Sequence, residues 1–238
     1  MSLETIAARA VLVDIEGTTS TIAFVHTVLF PYADEHLDAY VAAHRDEPEV
    51  AQAMRDAARE AGLGPDAGDA AVLAQLHAWM AEDRKATSLK TLQGLIWDEG
   101  FRETGLRGHV YPDAAAGLRR WHSAGLHLYI YSSGSIAAQK TLFGHSMQGD
   151  LLPLFSGHFD TTTGPKREAV SYERIARAIR LAPEAIVFLS DVDAELDAAR
   201  ATGMQTVRLL RPADTPRGAT TTHPSAVSFD EIDLRLPG

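Results

Sequence analysis

The sequence predicts a doubly wound α/β fold whose parallel sheet is interrupted, just after its first strand, by an all-helical insertion. Three observations predict it: short apolar runs rich in β-branched residues end in polar loops, helical patterns separate those runs, and the stretch 23–105 carries helical patterns alone. The first run, Ala10-Val11-Leu12-Val13-Asp14-Ile15, is stopped by Gly17-Thr18-Thr19, as a buried strand ending in a loop would be. Helical spacing then fills 25–44, 48–61, 70–82 and 89–101, with an exposed turn expected over 62–68.

Alternation resumes at Pro112, which suits a first helical turn. Ala115, Leu118 and Trp121 share one face of that helix, and Gly125 stands where a C-terminal cap belongs. A strand over 126–131 ends at Ser132-Ser133-Gly134-Ser135, and a helix follows over 136–143. Further helices are expected over 172–179 and 195–202, the latter capped by Gly203. Strands are expected over 185–189 and 204–210, with a weak fifth near 226–229 and an irregular loop over 212–224. The resulting division is a core of residues 1–22 and 107–238, with the helical insertion at 23–106.

Composition narrows the chemistry. In 238 residues, 45% are apolar and 23% charged, enough to bury a core without metals or bridges. There are no cysteines, so disulfides, zinc thiolates, iron-sulfur clusters and thiol nucleophiles are excluded. A net charge of −10 opposes binding to nucleic acid, so a small anion would need a local basic or cation-filled site. With no signal-like start and no apolar stretch near the roughly 20 residues of a bilayer span, the expectation is a cytoplasmic protein without a membrane partner.

In an open parallel sheet, ligands bind at the carboxyl ends of the strands, beside the point where strand order reverses. The polar residues that end strands here are Asp14 and Glu16, Ser132, and Asp191, and Lys166 lies in a Gly164-Pro165-Lys166 loop before a helix. Two carboxylates, Asp14 and Asp191, with a backbone carbonyl such as that of Glu16, make an oxygen-rich site suited to one Mg2+. A phosphate monoester beside it would be offset by Lys166 and held by the Ser132 hydroxyl, by Ser133 and by backbone N–H groups near Gly134. Asp14 could then attack phosphorus, and Glu16, two residues on, is placed to protonate the leaving oxygen while Ile15 turns into packing. Taken singly, each reading competes with a plainer one: a turn-forming Asp, a solvated Glu or Lys, serines that cap the next helix. Glu195 is either a partner of the site or a first-turn acid favoured by the helix dipole. His26, His109, His145 and His158 lack a zinc spacing and read as structural.

The four groups together resemble the motifs of the haloacid dehalogenase superfamily. Asp14-Ile15-Glu16-Gly17-Thr18-Thr19 is similar to its first motif with Glu replacing the usual second Asp, Tyr129-Ile130-Tyr131-Ser132 to the second, Lys166 to the third, and Phe188-Leu189-Ser190-Asp191 with Glu195 to the fourth. That Glu, with strings such as Leu29-Phe30-Pro31-Tyr32, Ser132-Ser133-Gly134-Ser135, Gln139-Lys140 and Gly157-His158-Phe159-Asp160-Thr161, resembles the enolase-phosphatase branch of methionine salvage over nearly the whole chain. The resemblance implies a Rossmann-like core, one magnesium ion, a monomer, and a helical cap over the active site. It also implies enolisation and dephosphorylation of 2,3-diketo-5-methylthiopentyl-1-phosphate to an acireductone. Lys85, Lys90 and Phe24 are the cap or hinge residues it offers for substrate contact, and the enolisation base is either Glu16 or a residue of the insertion. A phosphatase of another small phosphate is the alternative. A phosphorylatable receiver also places an Asp and a Lys at a sheet end, but it has no use for such an insertion.

Overall fold

The structure, a computed structural model, describes residues 4–64, 67–215 and 220–238. Residues 1–3, residues 65 and 66 of the expected turn, and 216–219 of the expected loop lie outside the described residues. The chain divides into two compact units, Met1–Ile22 with Arg107–Gly238, and Ala23–Leu106. No helix among the described residues is long and apolar enough to cross a membrane.

The strands are β1 (Ile6–Ala7), β2 (Ala10–Val13), β3 (His127–Tyr131), β4 (Phe155–Phe159), β5 (Ile186–Ser190), β6 (Gln205–Leu209), β7 (Ser225–Ala226) and β8 (Leu234–Arg235). Six of them form one parallel sheet in the order β4-β3-β2-β5-β6-β7, while β1 pairs with β8 apart. From β2 the chain moves outward through β3 to β4, then returns to β5 on the other side of β2, so the strand order reverses between β2 and β5. Both of these strands are buried along their whole length, as their unbroken apolar runs require. Val13 sits in register with Ile130 on one side and Leu189 on the other.

β2 ends earlier than expected. The Ile15 carbonyl accepts the N–H groups of Thr18, Thr19 and Ser20, at 3.2, 3.0 and 2.9 Å, which bends the chain away from the sheet directly after Asp14. β4 was not expected at all: Phe-Ser-Gly-His-Phe has no β-branched residue, and on the sheet's edge its side chains are only half-buried. β1 and β8, at two residues each, are too short to leave a periodic signal. The weak fifth strand lies one residue earlier and is shorter, because Phe229 opens the short turn Phe229–Glu231 and donates its N–H to Asp113 Oδ2 at 2.8 Å.

α1 (Ile22–Phe24) begins at Ile22, just before the helical unit, and leads into a π-helical turn, Val25–Leu29, and then α2 (Phe30–His44); α3 (Pro48–Glu60), α4 (Asp69–Ala81) and α5 (Thr87–Glu99) follow, and a second π turn, Gly100–Thr104, closes the unit. The expected single helix over 25–44 is thus split. Phe30 N–H reaches back five residues to Val25 O, and Pro31, next in line, has no N–H to continue the regular ladder. Val50, Ala53, Met54 and Ala57 of α3 are buried at helical spacing and join Leu37, Leu76, Trp79, Leu92 and Ile96 in a core of the unit's own.

Around the sheet lie α6 (Pro112–Ser123), α7 (Ile136–Gly144), α8 (Ala169–Ile179) and α9 (Asp193–Arg200). Ala115, Leu118 and Trp121 face inward from α6, and Gly125 leaves it at a φ of 88°. Leu12, Tyr131, Tyr172, Ile175, Phe188 and Leu196 form the core beneath α8 and α9. Each such fully buried large side chain is worth roughly 1.5–3 kcal/mol.

One ion cluster inside the helical unit responds to pH. His77 on α4 places Nδ1 2.5 Å from Asp34 and Nε2 2.9 Å from Asp38, two carboxylates one turn apart on α2. Burial opposes the charged ring, but the two carboxylates outweigh it and raise His77 above its ordinary 6.5. A raised folded-state value means stability that is complete below 6.5 and lost as pH climbs through the folded value. Urea unfolding monitored in α2 and α4 should therefore weaken between pH 6 and pH 9, to a smaller extent in His77→Gln. An equal pH slope in both proteins would show that His77 does not couple these helices.

Candidate active site

The carboxyl ends of β2 and β5 meet at the reversal of strand order, and the first groups after each strand converge there. Asp14 is buried. Its Oδ1 accepts the Ile15 N–H at 2.7 Å and lies 2.7 Å from Lys166 Nζ. The same ammonium lies 2.7 Å from Glu195 Oε2. Ser190 Oγ stands between the two acids, 3.1 Å from Glu195 Oε2 and 3.5 Å from Asp14 Oδ2, and accepts the Val192 N–H at 3.2 Å. Oδ2 therefore has the lighter hydrogen-bond load of the two Asp14 oxygens. The Thr19 hydroxyl closes the loop by donating to the Asp14 carbonyl at 3.0 Å.

Lys166 reaches this point because its loop is held by three hydroxyls. Tyr131 donates to Gly164 O at 2.8 Å, Ser171 to Pro165 O at 2.7 Å, and Tyr172 to Lys166 O at 2.7 Å. The Tyr131 ring also lies 5.8 Å beneath the ammonium, a cation–π distance. Sequence reading missed Tyr131, Tyr172 and Ser190 as site-building residues. A tyrosine in an apolar run reads as core, and the partner of its hydroxyl is 33 residues away in the chain.

The charges do not balance. Burial would lower Lys166, yet Asp14 and Glu195 outweigh it and raise the lysine, so the ammonium persists. One ammonium cannot satisfy three neighbouring acids: burial and then the Asp14 charge raise Glu195, and burial and then Asp14 push Asp191 up to about 7. The Asp191 carboxylate is pressed against the first loop at Gly17, where a built Cβ would fall 2.3 Å from Asp191 Oδ2. This excess of hard, anionic oxygen is the donor chemistry a magnesium ion needs, and a cation there would relieve the strain on Asp191. Among the described residues no three His, Cys, Asp or Glu side chains form a ready cage.

The remaining candidates sit as follows. Ser132 is buried at the end of β3, beside β2, and its Oγ accepts the Gly134 N–H at 3.3 Å. Ser133 is exposed and Gly134 half-buried. Neither Ser132 nor Ser133 caps α7; Ser135 does, accepting the Ala138 N–H at 3.2 Å. Glu16 is exposed, whereas Ile15 between it and Asp14 is buried. Phe24 and Lys85 belong to the helical unit, where Phe24 is buried and Lys85 pairs with Asp83 at 2.5 Å; Lys90 is exposed there too. His109 accepts the Thr21 N–H at 3.2 Å and packs on Tyr111, a structural use.

Residues 8–203 match the haloacid dehalogenase-like hydrolase family. The chain is 56% identical over 225 residues to a protein of Azotobacter vinelandii named Enolase-phosphatase E1, covering 94% of this chain and 97% of that one. It is 49% identical over 228 residues to a protein of the same name from Yersinia pestis, covering 96% and 98%. Among solved structures it is similar to the UTR4 protein of Saccharomyces cerevisiae, at a TM-score of 0.79 and 33% identity, over 94% of this chain and 99% of that one.

Gly17 makes a direct test of this geometry. At φ 69° and against Asp191, any side chain is both strained and obstructed. Gly17→Ala is expected to lose about 1–3 kcal/mol in urea unfolding. An unchanged midpoint would mean that the two loops do not meet in this way.

Proposed function

Because the chain belongs to the haloacid dehalogenase-like hydrolases and, within them, to the enolase-phosphatase family, we propose that it enolises 2,3-diketo-5-methylthiopentyl-1-phosphate and removes its phosphate, giving the acireductone 1,2-dihydroxy-3-keto-5-methylthiopentene. The observation that carries this reading is the buried Asp14–Lys166–Glu195 cluster at the reversal of strand order, in a chain 56% identical to a named enolase-phosphatase. The partner is a small phosphate ester, and the acting species a monomer.

In this reading Asp14 Oδ2 attacks phosphorus, since Oδ1 is tied to Lys166 and the Ile15 N–H. The bond from phosphorus to the leaving oxygen breaks as an aspartyl-phosphate forms, and Glu16 gives that oxygen its proton. Glu16, now a carboxylate, takes a proton from the water that attacks the aspartyl-phosphate, and phosphate leaves with Asp14 restored. Exposure supports this role for Glu16, because a group open to solvent can exchange its proton between the two halves of the cycle. Lys166 offsets phosphate charge, while the Ser132 hydroxyl, Ser133 and the backbone at Gly134 hold phosphate oxygens. Glu195 serves by sharing the ammonium. Asp14, Asp191 and the Glu16 carbonyl would hold one Mg2+, which when bound offsets phosphate charge and polarises the substrate carbonyl for enolisation.

Purified protein with magnesium and the diketo phosphate should show enol absorbance followed by free phosphate. Phosphate release with no enol would leave a simple phosphatase. Asp14→Asn is expected to lower kcat for phosphate release by at least about a thousandfold with the far-ultraviolet circular dichroism unchanged, and a variant that still turns over would remove Asp14 as nucleophile. Chelation should stop turnover and added magnesium restore it; full rates in chelator would dismiss the metal.

A further inference from the structure

Gln139 is one of the most deeply buried polar side chains in the α/β unit, at 1% exposure, and lies in α7 directly beneath the Ser132–Ser135 loop. Its Nε2 donates twice: to Gly134 O at 2.9 Å and to Phe159 O, the last carbonyl of β4, at 2.9 Å. Phe159 O also accepts the Ser132 N–H at 3.2 Å. A single amide thus joins the carboxyl ends of β3 and β4 to the turn between them. We propose that Gln139 is a positioning residue for phosphate binding, fixing the backbone of the Ser132–Ser135 loop in the orientation that presents the Ser135 N–H and the Ser132 hydroxyl to the phosphate. This rests on the function proposed above and deepens it by assigning the loop's orientation to one side chain.

Three features argue for the role. First, the assignment of the amide is unambiguous, since turning it over would set Oε1 against two carbonyls. Second, peptide planarity transmits the contact. All described peptide bonds are trans, so holding Gly134 C=O toward Gln139 turns the Ser135 N–H to the opposite side of the peptide plane. The Gly134 N–H is separately directed at Ser132 Oγ at 3.3 Å, so the peptide planes on both sides of Gly134 are each held by a hydrogen bond. Third, the amide carries a desolvation cost, for among the described residues Oε1 is buried with no hydrogen-bond partner. A methionine would fill the same space without that desolvation penalty, so what the site requires from the residue is its pair of donors. Neither Glu, with no donor when ionised, nor a shorter amide can bridge the same two carbonyls.

The test uses the full chain with magnesium, and inorganic phosphate as the probe, with affinity measured by calorimetry and by competition against the diketo phosphate. Gln139→Met should weaken phosphate and raise KM about tenfold, as expected when a paired carbonyl loses its donor, while magnesium affinity holds. Gln139→Glu adds a readout that packing alone would not move. Its phosphate affinity, taken as a ratio to wild type at each pH, should recover in part as pH falls and the new carboxyl gains one proton to donate to one of the two carbonyls. A ratio that stays flat with pH in Gln139→Glu, or wild-type phosphate affinity in Gln139→Met, would overturn the proposal. Wild-type protein that neither binds phosphate nor releases it from substrate would instead refute the proposed function.

Discussion

A single buried ammonium organises the site. Removing Lys166 Nζ from water is costly unless anions replace the lost hydration, and it has two at 2.7 Å, Asp14 and Glu195. Satisfying it brings together the loop after β2, the loop before α8 and the first turn of α9, which are far apart in the chain. The order of the sheet makes this meeting possible, because β2 and β5 are neighbours and their ends deliver Asp14 and Ser190 side by side. Reverse any one of these placements and a charge is left buried without a partner.

The ammonium in turn needs a backbone that does not drift. Neutral side chains supply much of that rigidity. Hydroxyls from Tyr131, Ser171 and Tyr172 take three successive carbonyls of the Lys166 loop, Thr19 takes the Asp14 carbonyl, and the Gln139 amide takes those of Gly134 and Phe159. Neutral donors on carbonyls fix geometry without altering the electrostatic balance, so the field at the site is left to Lys166, the three acids and whatever cation joins them.

What the sequence makes legible follows from this division. Asp14 and Asp191 stand out because they terminate β2 and β5, whose unbroken apolar runs mark strands buried on both faces. Lys166 stands out from its Gly-Pro context and from its place among the four motifs. The edge strand β4 does not, since Ser156, Gly157 and His158 dilute its pattern. Nor do the supporting hydroxyls: Tyr131 and Tyr172 satisfy every criterion of core residues, and only the fold reveals that their polar tips face carbonyls. The helical unit is legible as helix, but its first π turn is not, because the missing N–H of Pro31 acts on a ladder that periodicity alone does not resolve.

Two acids separated by one residue have been given opposite surroundings, and the proposed chemistry uses the contrast. Asp14 is shielded from water, with one oxygen bound to an ammonium and a backbone N–H, which holds the other in a fixed direction. Glu16 is exposed. A nucleophile profits from the first environment, where orientation is set in advance and competing solvent is excluded. A group that must give up a proton and later take one back profits from the second, where water can reset it between turnovers. The turn at Ile15, whose carbonyl gathers three N–H groups, separates the two environments. It bends the chain after Asp14, buries the Ile15 side chain, and leaves Glu16 outside, so the difference in exposure between the two acids follows from backbone hydrogen bonding.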